Sequence, residues 1–84
     1  MIEFDYIIKD EIGIHARPAG LLVKKVKELG HPVTVAKGSK VADATRLMSI
    51  MQLGVKQGDT IHVTVDTEDQ ASAQEIQAFF EENL

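Results

Sequence analysis

The chain contains no cysteine, which excludes disulfide bonds and thiolate metal sites and removes any requirement for an oxidising compartment. It has no apolar run long enough to span a bilayer. Met1-Ile2-Glu3-Phe4-Asp5 has neither the basic nor the apolar region of a signal peptide, so a cytoplasmic location and no membrane insertion are expected. Basic residues are missing from the last third. From Gly58 to Leu84 there are seven acids and no lysine or arginine, whereas all nine bases fall between Lys9 and Lys56. The overall charge of −4 thus divides into −7 for this tail and +3 for the rest. An acidic chain of this kind is not a general binder of nucleic acid. Its basic part can steer an acidic partner, although a solvated acidic final helix would produce much of the same asymmetry. No repeat, linker or low-complexity segment interrupts the 84 residues, and residues 1–84 read as one small domain with a single core.

Ile2, Phe4, Tyr6 and Ile8 alternate with polar residues, the pattern of a half-buried strand. From Ala16 to Leu29 the period becomes helical, with Ala19, Leu22, Val23 and Val26 in one stripe and Gly30 and Pro32 as stop signals. Val33–Ala36 and Lys40–Ala42 read as two strands joined at Gly38-Ser39, and Leu47–Leu53 as a short helix closed by Gly54. Thr60–Val65 alternates again. Thr67 with Gln70 fits a capping box, with Glu68 and Asp69 at the positive end of a last helix that carries Ala73, Ile76, Phe79 and Phe80 inward. The order is βαββαβα, an α+β arrangement with helices packed on one face of an antiparallel sheet.

The segment Gly13-Ile14-His15-Ala16-Arg17-Pro18-Ala19 carries the chemistry. The unpaired N–H groups at a helix start, around Ala16, Arg17 and Pro18, form an anion site. Arginine adds a permanently charged fork that matches phosphate oxygens, and proline tolerates the first turn because its missing N–H has no partner there. His15 stands at the mouth of that site, where the positive helix end favours the neutral, nucleophilic imidazole. With about 100° per residue, Arg17, Gly20, Leu21, Lys24 and Glu28 lie opposite the apolar stripe, and Lys27 lies on its flank. No carboxylate, metal motif or nucleotide loop is expected nearby, which favours a phosphoryl carrier served by other proteins over a kinase. His31 beside Pro32 and His62 on the polar side of its strand read as incidental, and the histidine spacing does not suit zinc, so no metal or other cofactor is expected.

A second segment lies far downstream: Met48-Ser49-Ile50-Met51-Gln52-Leu53-Gly54-Val55-Lys56-Gln57-Gly58-Asp59. With both segments at this separation, the chain resembles the HPr family, the histidine-containing phosphocarriers of the bacterial phosphoenolpyruvate-dependent sugar phosphotransferase system. The resemblance runs from the first strand to the last helix. It implies an open-faced sandwich, a four-stranded antiparallel sheet covered on one side by three helices. It further implies that His15 accepts phosphate through Nδ1 from enzyme I and donates it to IIA domains of sugar permeases, with Arg17 assisting. The short helix has Ile50 and Leu53 on one face and Leu47, Met48 and Met51 roughly opposite, more apolar surface than a one-sided sandwich buries. By resemblance, those three residues form a docking surface with Gly20, Leu21, Lys24 and Lys27, on a protein expected to act as a monomer.

Position 46 departs from many Gram-positive members, which carry there a serine phosphorylated by HPr kinase. Arg46 cannot accept that phosphate and adds positive charge to the docking surface. Gly20 stands where the family usually has alanine. Two other readings remain open: a regulatory relative, in the nitrogen-related phosphotransfer branch or as a repressor co-factor, and a non-phosphorylated interaction module. The co-factor role needs the serine and can dispense with the histidine, the reverse of what this chain keeps.

Overall fold

In the computed structural model, which describes residues 1–84, the alternation at the start of the chain forms β1 (Ile2–Ile7), and the first helical stripe forms α1 (Ala16–Leu29). β2 (Val33–Lys37) and β3 (Lys40–Asp43) follow, then α2 (Leu47–Gln52), β4 (Thr60–Val65) and α3 (Gln70–Asn83). The four strands make one antiparallel sheet in the order β1-β4-β2-β3. Its register aligns Phe4, Val63, Val35 and Ala42 in a single row across all four strands. Because side chains alternate between faces, the next row, Asp5, His62, Ala36 and Val41, points the other way. The expected open-faced α+β sandwich is therefore the fold.

The three helices supply the other half of the core. Ala19, Leu22 and Val26 of α1, Ile50 of α2, and Ala73, Ile76 and Phe80 of α3 are buried with the inward strand residues. Phe80 has no exposed surface; its ring lies edge-on to Phe4 at 6.2 Å and tilted against Tyr6 at 5.7 Å. Val23 and Phe79, expected in the buried stripes, pack only partly against this core, while Pro18 is buried. α1 ends as its sequence requires: Gly30 takes a left-handed conformation (φ 75°) and its N–H reaches the Val26 carbonyl.

The start of α3 differs from the capping box read at Thr67. Asp69 is the N-cap; its carboxylate accepts the Ala71 N–H at 3.1 Å and the Ser72 hydroxyl at 2.9 Å. The Thr67 hydroxyl instead accepts the Asp69 N–H at 3.0 Å, closing the turn that leads out of β4. Two capping-competent residues lie two apart, and the turn geometry uses the first, so the helix begins at the second.

Candidate functional site

The position of His15 follows from Gly13. Gly13 has φ of +82°, and a Cβ there would lie 2.3 Å from the Val55 carbonyl oxygen and 2.7 Å from Lys56 Cα, so only glycine allows the approach. The next N–H, that of Ile14, donates to the same Val55 carbonyl at 3.2 Å, and the Ile14 side chain is buried. On the facing segment, the Asp59 carboxylate accepts the Lys56 N–H and the Lys37 ammonium, each at 2.8 Å. Those bonds hold the Asp59 carboxyl below its usual range, with the Lys37 bond the larger cause. The two sequence segments that carry the family resemblance are therefore one structural unit: the second braces the loop that presents the first.

His15 is the N-cap of α1, in extended backbone geometry, and its ring makes no capping bond. The first turn closes through Ala19 N–H to the His15 carbonyl at 3.0 Å, leaving the N–H groups of Ala16 and Arg17 without an acceptor. Arg17 is exposed and takes part in no ion pair. His15, Arg17, Pro18 and Leu21 line one open hollow of about 290 Å³. The half-buried imidazole thus shares a concave surface with a free guanidinium and two free backbone donors, a set of parts suited to an oxyanion.

The residues expected to dock divide between two places. Leu21, Leu47 and Met48 are exposed at 44%, 40% and 66%, while Ile50 and Leu53, on the other side of α2, are buried. Met51 is half-buried between them. Gly20 is half-buried, with nothing within 4 Å of a Cβ built on it. Lys24 is exposed beside Leu21 in the adjoining groove. Lys27 is not brought to His15: it lies about 18 Å along the α1 axis, in a hollow with His31, Asp43 and Thr45. There it approaches the turn that precedes Arg46, the exposed N-cap residue of α2, whose side chain makes no capping bond. The Thr45 hydroxyl donates to Asp43 at 2.7 Å, and the two bonds from Thr45 hold the Asp43 carboxyl below its usual range.

Three residues on the His15 hollow escaped the reading of the sequence: Asp10, Glu82 and Asn83. The last two come from the end of α3, which is tied to the His15 loop by Lys9 and Asp10 N–H groups donating to the Leu84 carbonyl at 2.6 and 2.8 Å. No local pattern signals this, because the residues meet only through the tertiary fold. His62, read as incidental, is a bridge. Its Nδ1 lies 2.7 Å from Asp5 and its Nε2 2.8 Å from Glu3, on the sheet face away from the helices. No helix is long and apolar enough to cross a membrane.

Comparison with known proteins places this arrangement. The family model described as the PTS HPr component phosphorylation site matches residues 2–82. The phosphocarrier protein HPr of Mycoplasma capricolum is 33% identical over 69 residues, covering 82% of this chain and 78% of its own. The multiphosphoryl transfer protein of Salmonella typhimurium is 32% identical over 76 residues, which make up 87% of this chain and 20% of that protein. Among solved structures, the histidine-containing phosphocarrier protein of a mycoplasma superposes with a TM-score of 0.88 at 28% identity, covering 96% of this chain and 93% of its own. A match over nearly the whole length, with the fold in agreement, means that the chain belongs to the HPr family of phosphocarrier proteins.

Proposed function

We propose that the chain carries a phosphoryl group on His15, taken from phosphorylated enzyme I and passed to IIA domains of sugar permeases. The observation that carries this reading is the shared hollow, in which a free imidazole at a helix N-terminus lies beside an unpaired Arg17. In the loading step the lone pair of His15 Nδ1 attacks the phosphorus, a new N–P bond forms, and the bond to the donor nitrogen breaks. Arg17 and the Ala16 and Arg17 N–H groups take the charge of the phosphoryl oxygens. The reverse chemistry unloads it, so the protein is a substrate of its partners and not a catalyst alone.

Gly20, Leu21, Lys24, Arg46, Leu47, Met48 and Met51 form the surface that seats both partners, with Lys27 at its far end and the protein acting as a monomer. Exposed methionines and leucines tolerate more than one apolar partner surface, and the basic side chains favour acidic ones. The serine switch is absent: Arg46 holds the N-cap of α2, the neighbouring Thr45 hydroxyl is engaged by Asp43, and Ser49 is half-buried within the helix.

Incubation with enzyme I and phosphoenolpyruvate, followed by intact-mass measurement, tests the reading. An acid-labile gain of one phosphoryl group, lost in His15→Ala, is the expected result. No uptake by folded wild-type protein would overturn it.

A further inference from the structure

The His15 hollow contains more negative than positive charge. Its charged residues other than the histidine are Arg17, Asp10 and Glu82. Glu82 is exposed and makes no ion pair, and Arg17 is equally unpaired, so the two carboxylates do not neutralise the guanidinium by contact. The Asp10 carboxylate is fixed by backbone, and the helix end that carries Glu82 is held against the loop. Asp10 accepts the Ile12 N–H at 2.8 Å, and the Leu84 carbonyl, bound by Lys9 and Asp10, holds the last turn of α3 against the loop.

A site built only to hold phosphate would not place two carboxylates around it. Arg17 and the free N–H groups lower the free energy of the phosphorylated form; two nearby negative charges raise it by repelling the phosphoryl oxygens. We propose that Asp10 and Glu82 are positioning charges that set the transfer potential of phosphorylated His15, keeping the group ready to leave. The proposal rests on the phosphocarrier reading. In transfer the N–P bond at His15 breaks, the phosphorus bonds to the nucleophilic nitrogen of the acceptor, and the imidazole keeps the electron pair. The carboxylates touch no reacting atom; they act by destabilising the charged state that precedes bond breaking.

The test compares wild type with Asp10→Asn, Glu82→Gln and the double variant. Isotope-labelled wild type and unlabelled variant share a limiting amount of phosphoenolpyruvate with catalytic enzyme I, and intact mass reads how the phosphoryl groups divide. At low ionic strength each substitution should draw the phosphoryl group toward the variant by about threefold, and the double variant by about tenfold. In about 1 M salt the bias should shrink toward parity, because the charges act through screened solvent. A structural role would not give that salt dependence. Equal division at low salt, or a bias that salt leaves unchanged, would overturn the proposal. Should enzyme I fail to load the wild type, the phosphocarrier reading falls separately. Loading all four proteins with phosphoramidate then decides the matter: slower hydrolysis at His15 in the variants supports the proposal, and equal half-lives overturn it.

Discussion

At position 13 a single hydrogen in place of a methyl group determines where His15 can stand. The backbone there is left-handed and lies against the Val55 carbonyl with no room for a Cβ. Gly13→Ala must move either the loop or the 55–56 segment. Its expected cost is about 2 kcal/mol or more, read as a lower midpoint in chemical denaturation, together with slower phosphoryl acceptance by whatever protein remains folded. Tyr6 gives the opposite case. Its hydroxyl is buried without a hydrogen-bond partner, and burial, aided by the charge of Glu81, pushes the phenol up from its usual value. Tyr6→Phe removes an unsatisfied polar atom and keeps the ring against Phe80. It should stabilise the fold by about 1 kcal/mol, and a denaturation midpoint below that of the wild type would count against this account. Gly13 was legible as part of a motif. The orphaned Tyr6 hydroxyl was not, because alternation places a tyrosine inside without showing what surrounds its oxygen.

Among the elements, β1 is an edge strand, paired only with β4. His62 of β4 reaches two of its carboxylates, and the bond to Glu3 first, then that to Asp5, raises the imidazole above its ordinary value of 6.5. The β2 neighbours across from His62 and Thr64, Ala36 and Thr34, carry no charge. Because the folded value is raised, the bridge contributes its full stability below the unfolded imidazole pKa and loses it as pH rises through the folded one. The difference in stability between wild type and His62→Ala should therefore be largest just below the ordinary imidazole value, where Glu3 and Asp5 are still ionised, and shrink as pH rises above it. Denaturation midpoints measured across that range check it, and a difference that does not vary with pH would remove the bridge from the account. The helix and strand periods were legible from polarity alone, and the seven elements lie where those periods put them. The cap of α3 was not: Thr67 and Asp69 compete for the same role, and the exit from β4 decides between them.

Over the whole molecule, burial separates the two faces of α2. Ile50 and Leu53 hold it to the core, while Leu47 and Met48 stay in solvent. Met48→Asp should leave stability within about 0.5 kcal/mol of wild type, as expected for an exposed position. It should also slow phosphoryl acceptance from enzyme I several-fold. Rapid-quench transfer measurements and a thermal melt separate these effects; unchanged transfer with intact folding would remove Met48 from the docking surface.

The sequence by itself determined the open-faced βαββαβα fold, the helix start at His15 and the pairing of His15 with Arg17, because these depend on polarity period and on neighbours a few residues apart. Only the tertiary structure decided that Val55 and Lys56 shape the His15 loop, that Asp10 and Glu82 face the same hollow, and that Lys27 shares a different hollow with Asp43 and Thr45. Charge repulsion and steric exclusion act through space between residues that the chain separates by tens of positions, and closing the sheet under the helices is what brings them within range.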